Sequence, residues 1–155
     1  MGRIFRLSGI VAGMTFAVPL TAHAQLHAYG QAAPTEVQFV LIANLANRAN
    51  ALDRSEASKL FLGKRAKWPN GTPVLPVDLV ESSPVRRRFS NEILGMGVAN
   101  VKSYWQEMVS NGRGNAPPER ASDSEIIEFV KANPSAVGYI GAMTPSDGVK
   151  ILGIK

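Results

Sequence analysis

A short apolar run rich in β-branched residues constrains the fold of this chain more than any other feature. Val37, Phe39, Val40, Leu41 and Ile42 follow one another with a single polar interruption. This pattern is typical of a strand that is buried on both faces of a parallel sheet. Such a strand needs helices on both sides, so the run predicts an α/β domain.

Helix-start motifs and further apolar runs follow at intervals that suit this architecture. Asp53-Arg54-Ser55-Glu56 predicts a capping box, while Ser83-Pro84 and Ser122 predict two more helix starts. A longer helix is predicted for Val98–Val109, with its apolar residues on one stripe. The further strand candidates are Val74–Val80, Ala136–Met143 and Val149–Ile154. This order predicts a three-layer α/β/α sandwich with a mainly parallel sheet.

The N-terminus has the composition of a cleavable secretory signal. Two arginines precede an uncharged run, Leu7–Leu20, and Ala22-His23-Ala24 offers the small residues that signal peptidase requires. The uncharged run has 14 residues, whereas a membrane-spanning helix needs about 20. We therefore predict cleavage between Ala24 and Gln25, export to the periplasm, and no membrane span after cleavage.

Downstream of the signal, composition predicts one domain without catalytic chemistry. The sequence predicts a flexible leader over residues 25–35 and a single α/β domain over residues 36–155. The chain has no cysteine, and the histidine that remains after cleavage, His27, lies in the leader. A zinc site or an activated nucleophile therefore lacks suitable residues. We predict a protein that is not an enzyme and has no cofactor.

The charge balance gives little reason to expect a nucleic-acid partner. The net charge is +5 for the full chain and +3 once the two arginines of the signal are removed. The basic residues cluster once, at Arg86-Arg87-Arg88. Three consecutive helical residues fan around the helix, so we favour a solvated face over a grip on nucleic-acid phosphates.

The segment Glu81-Ser82-Ser83 is the candidate ligand site. Ligands of open α/β sheets bind at the carboxyl ends of strands, beside helix N-termini. Here two hydroxyls, first-turn amides and a helix dipole converge, which would suit an oxyanion. The alternative is that Ser83 only caps its own helix and Glu81 only complements the dipole.

Four motifs in order resemble a known family. They are Leu60-Phe61-Leu62-Gly63-Lys64, Trp68–Val74, Gly112-Arg113-Gly114 and Ala136–Ile140. Together they resemble the substrate-binding proteins of phosphate ABC transporters, which have the type II periplasmic binding protein fold. The resemblance implies one lobe of that fold, a phosphate or other small-anion ligand, and delivery to a membrane permease.

The resemblance also implies specific ligand residues. In the family, the ligand loop runs Arg-x-Asp-Gly-Ser-Gly-Thr, and it aligns with Leu79–Val85. Glu81 stands in place of the Asp that accepts the phosphate proton. Ser82 replaces the first Gly, and Ser83 retains the family's serine.

Other positions of this loop depart from the family. Leu79 stands where the family has its anion-pairing Arg, Pro84 has no amide N–H to donate, and Val85 replaces the Thr hydroxyl. Losing that Arg removes the strongest type of hydrogen bond to an oxyanion. Arg86 and Arg113 are the candidates to replace it.

Two functional hypotheses follow. The first is a periplasmic solute-binding-type protein that captures inorganic phosphate or another small anion. The resemblance implies a membrane permease as its partner. A second chain is the other candidate partner, because the mature chain has about the length of one lobe. The second is a single-lobe interaction module with a degenerate ligand site.

Overall fold

A computed structural model describes residues 37–155. The predicted signal peptide over residues 1–24, its cleavage site between Ala24 and Gln25, and the leader over residues 25–35 lie outside the described residues. These three features therefore stay predictions. No helix within residues 37–155 is both long and apolar enough to cross a membrane.

Strands and helices alternate along the described chain. The strands are β1 Phe39–Ala43, β2 Ala51–Leu52, β3 Leu75–Pro76, β4 Asp78–Leu79, β5 Glu119–Arg120, β6 Ala136–Gly141 and β7 Lys150–Ile154. The α-helices are α1 Arg54–Phe61, α2 Pro84–Phe89, α3 Val98–Ser110 and α4 Asp123–Ala132. A π-helical segment, Ser90–Leu94, continues α2 without a break. The predicted α/β class is confirmed.

The main sheet has five strands in the order β2-β7-β1-β6-β3. Its central strand, β1, is antiparallel to both β6 and β7, whereas β2 and β3 pair in parallel at the two edges. The sheet is therefore mixed, which corrects the expected mainly parallel pairing. The apolar composition of β1 indicates that both of its faces are buried, but a buried strand can pair in either direction, so composition does not determine the pairing.

Helices cover both faces of this sheet. The Tyr139 ring of β6 stacks on the Phe89 ring of α2 with centroids 3.8 Å apart, and it meets Phe61 of α1 at 5.8 Å. The neighbouring Gly138 faces α4, since a Cβ atom there would lie 2.8 Å from Ile126 Cγ2. Adjacent strand residues point to opposite faces, so the predicted three-layer sandwich is confirmed.

The predicted helix starts are confirmed by their capping bonds. Asp53 Oδ1 accepts from the third amide of α1 at 2.6 Å, and the Oγ atoms of Ser83 and Ser122 each accept from the third amide of their helices at 3.3 Å. Glu56 departs from the predicted capping box, because its carboxylate pairs with Lys59 at 3.1 Å. These local hydrogen bonds satisfy amides that have no partner within the helix.

The predicted strand Val74–Val80 is divided into β3 and β4. β3 pairs with β6, but β4 leaves the main sheet and pairs in parallel with β5. Two-residue strands such as β2 and β5 carry no alternating pattern, and so the sequence did not predict them. The separate β4–β5 pair places the end of β4 beside α2 and α3.

Candidate ligand site

The candidate loop lies where β4 ends and α2 begins. The amide of Ser83 donates to the carbonyl of Val80 at 3.0 Å, which closes a turn over residues 80–83. Ser83 then caps α2, and Pro84 takes the first helical position. The loop therefore lies at the carboxyl end of a strand, as the sequence predicts. Ser83 does cap its own helix, as the alternative predicted. Its hydroxyl hydrogen can still donate to another acceptor.

Glu81 pairs with Lys102 of α3, a residue that the sequence did not predict as part of the site. The Glu81 Oε1 and Lys102 Nζ atoms lie 2.9 Å apart, and the two side chains are 44% and 54% exposed. The hydrogen bond from Lys102 lowers the pKa of Glu81, and the same bond raises the pKa of Lys102. No local motif marks Lys102, because only tertiary packing brings α3 beside the loop.

The Arg86 side chain turns into the protein interior. Its side chain is 4% exposed and pairs with Asp78 at 3.2 Å and Glu119 at 2.6 Å. It also donates to the carbonyl of Leu79. The predicted solvated face is therefore wrong for Arg86, because this residue lies three positions before the buried Phe89, on the same face of α2.

Asp78 is the buried centre of this charged network. Burial raises the pKa of its carboxyl group, and the nearby Arg86 guanidinium opposes this shift. The Tyr139 hydroxyl donates to Asp78. Burial also raises the pKa of Tyr139, so its hydroxyl stays protonated and remains a donor. Arg86 is thus held by acceptors from the protein itself.

Arg113, the other candidate cation, is placed apart from the loop. It is exposed after the end of α3, where its amide donates to the carbonyl of Met108 at 2.9 Å. It does not belong to the cleft beside Glu81. Of the predicted site residues, Glu81, Ser82 and Ser83 are consecutive in the loop, Arg86 shares a cleft with Glu81 but is paired to other groups, and Arg113 lies apart.

A cleft of about 440 Å³ lies between α3 and the β4–β5 pair. Its apolar walls are Trp105, Val109, Ala116 and Pro117. Its charged residues are Asp78, Arg86 and Glu119, with Glu81 and Lys102 at the solvent-exposed edge. The cleft has the size of a typical organic-ligand pocket.

Metal binding finds no support in the described part of the chain. Among residues 37–155, no three histidine or acidic side chains lie close enough together to hold a metal ion. The charged groups of the cleft instead form ion pairs.

No protein-family profile and no curated protein matches this sequence, but solved structures match its fold. A phosphate ABC transporter substrate-binding protein with bound phosphate from Clostridium perfringens gives a TM-score of 0.60 at 20% identity. The match covers 76% of this chain and 45% of that one. An ABC-type phosphate transport receptor from Vibrio cholerae gives 0.60 at 17% identity, covering 79% and 51%. PstS from Borrelia burgdorferi gives 0.59 at 15% identity, covering 77% and 47%.

These matches confirm the predicted resemblance at the level of the fold. The chain spans about half the length of the solved structures that it matches. Over about three quarters of its own length, it has the fold of periplasmic phosphate-binding proteins.

Proposed function

We propose that this protein is an exported, non-enzymatic solute-binding protein that binds a small oxyanion at Glu81, Ser82 and Ser83. The observation that carries the proposal is the Glu81–Lys102 ion pair, in which Glu81 directly precedes Ser82 and Ser83 in the loop between β4 and α2. Proteins with this fold include a phosphate ABC transporter protein with bound phosphate. Inorganic phosphate is the first ligand to test.

Each residue of the loop has a chemical role in this proposal. The Lys102 ammonium supplies the positive charge that Leu79 does not, acting as a compact cation with three donors. The hydroxyls of Ser82 and Ser83 donate to oxyanion oxygens. Glu81 is ionised because Lys102 lowers its pKa, and its carboxylate accepts a hydrogen bond from the protonated oxygen of a monoprotonated oxyanion.

The predicted signal supports a periplasmic location for this binding. There the bound solute would pass to a membrane permease, the partner implied by phosphate ABC transporter proteins of this fold. A second chain is the other candidate partner, and it would close the open side of the cleft.

Thermal unfolding of the chain from residue 25 tests the proposal. Phosphate, sulfate and acetate are each added at millimolar concentration, since a ligand present at 100 times its Kd stabilises the folded state by about 2.7 kcal/mol. We expect Lys102→Gln to remove the response. Lys131→Gln is the matched control, because Lys131 is likewise a surface lysine on a helix that pairs with a carboxylate, that of Glu128 at 3.4 Å. Absence of any anion response in the wild-type protein would overturn the proposal.

A pair of capping variants separates binding from stability. Ser83→Ala and Ser122→Ala each remove a cap with the same 3.3 Å geometry, at a cost of about 1 kcal/mol. Both variants should lower the melting temperature, but only Ser83→Ala should also lose the anion response. An equal anion response in the two variants would exclude the Ser83 hydroxyl from the site.

The second candidate is a single-lobe interaction module, and the placement of Arg86 favours it. The strongest potential partner for an anion is occupied by Asp78 and Glu119. A module of this kind would show no response to anions, and in periplasmic extract it would elute in a complex larger than the purified chain. A monomeric elution volume in extract would contradict it.

A further inference from the structure

We propose that the ligand is a monoanionic organic acid, a carboxylate that carries an apolar group about the size of a ring, and not inorganic phosphate. This inference rests on the proposed function, because it places the carboxylate at the Glu81–Lys102 edge. It adds a second part to the site, in which the body of the ligand fills the cleft between α3 and β4–β5.

The charges of the cleft disfavour an ion with two negative charges. Asp78, Glu81 and Glu119 face two cations, Arg86 and Lys102. Each further negative charge on the ligand therefore adds repulsion from three carboxylates. A monoanion meets less of this repulsion than the dianionic form of phosphate.

Lys102 is the one cation of the cleft that a ligand can readily engage. Arg86 is buried between Asp78 and Glu119, whereas the Lys102 side chain is half exposed and pairs only at the surface. A single exposed ion pair contributes little to binding, because water screens it. Most of the affinity must therefore come from another part of the ligand.

The apolar walls of the cleft can supply that affinity. Trp105 and Pro117 are buried wall residues, and Val109 leaves half of its surface exposed beside them. A volume of about 440 Å³ exceeds what a five-atom inorganic ion fills and lies in the range of organic-ligand pockets. Covering Val109 with a ring removes the exposed surface of Val109 and the apolar surface of the ring itself from water, which favours binding.

Trp105 fluorescence tests the inference. Trp68, the other tryptophan, does not line the cleft, so Trp68→Phe gives a background in which Trp105 alone reports binding. The probes are phenylacetate, acetate, inorganic phosphate and the uncharged analogue 2-phenylethanol. We expect phenylacetate to bind about a hundredfold more tightly than acetate or phosphate, the effect of burying one ring. We also expect it to bind more tightly than 2-phenylethanol, since the alcohol lacks the charge that pairs with Lys102.

Each other outcome has a separate meaning. Equal affinity for phosphate, acetate and phenylacetate would overturn this inference while leaving the proposed oxyanion function in place. Binding of 2-phenylethanol as tightly as phenylacetate would show that the cleft needs no anion, and would overturn the inference together with its premise. No binding of any probe would overturn both.

A variant of the exposed wall residue provides an independent test. Val109→Thr keeps the β-branched shape but places a hydroxyl against the ring, which should weaken phenylacetate about tenfold. Ile151→Thr is the control, because Ile151 is 51% exposed, similar to the 50% of Val109, and lies outside the cleft. Equal affinity of both variants for phenylacetate would overturn the assignment of the cleft.

Discussion

Replacing Arg86 with Met tests whether this arginine supports the fold or binds the ligand. The substitution keeps much of the side-chain volume but leaves Asp78 buried beside no cation, while Glu119 is 43% exposed and stays solvated. Removing one partner of a buried ion pair costs about 3–5 kcal/mol. At a urea dependence of roughly 2 kcal/mol per molar, the unfolding midpoint should fall by about 2 M.

The cost of Arg86→Met should grow with pH. Burial raises the pKa of Asp78 above its ordinary value. The folded state therefore holds this proton more tightly than the unfolded state, and the stability that the proton provides is lost as pH rises through the folded pKa. Removing Arg86 raises that pKa further, since the guanidinium opposes the shift. At about pH 4 the protonated carboxyl needs no cation, so the variant should approach the wild-type stability there.

Urea unfolding followed by circular dichroism at about pH 4 and about pH 8 measures both effects. Asp78→Asn combined with Arg86→Met removes both buried charges and should recover much of the loss. Glu119→Gln should cost less than about 1 kcal/mol, because that carboxylate is partly solvated. A pH-independent loss of less than about 1 kcal/mol, together with a lost anion response, would refute the reasoning and make Arg86 a ligand group.

Two further substitutions test the packing of the fold. Gly138→Ala should destabilise the protein by about 1–3 kcal/mol, because the new Cβ would lie 2.8 Å from a methyl of Ile126. The control Gly153→Ala should be well tolerated, since the nearest atom to its new Cβ lies at 3.5 Å. A similar melting temperature for both variants would contradict this packing. Trp68→Phe removes the 3.0 Å hydrogen bond from the indole to the carbonyl of Ser135. It should lower the free energy of unfolding in urea by about 1–3 kcal/mol. An unchanged unfolding midpoint would mean that the indole does not anchor the loop around Trp68.

Local hydrogen bonds made much of the fold predictable from the sequence. Asp53, Ser83 and Ser122 act as caps through contacts within four residues, so the helix starts could be placed without knowing the tertiary structure. The apolar composition of β1 likewise predicted a strand buried on both faces.

Features that depend on distant contacts were not predictable. The direction of β1 is set by β6 and β7, which lie far along the chain. The spacing of Arg86 from Phe89 places it on the buried face of α2, but no local pattern identifies the distant Glu119 or the strand residue Asp78 as its partners. Lys102 enters the candidate site only because α3 packs beside the loop at Glu81. The loop could therefore be located from the sequence, but its cation could not.

The central position of β1 also fixes when the main sheet can form. Phe39 pairs with Gly141, and Leu41 pairs with both Tyr139 and Leu152, so the partners of β1 are about a hundred residues away in sequence. Closing such a long loop carries an entropic cost before any of these contacts can form, and non-local pairing of this kind slows folding. During synthesis, β1 emerges first and must wait for nearly the whole domain before it finds a partner. The chain therefore stays without its main sheet for most of its synthesis.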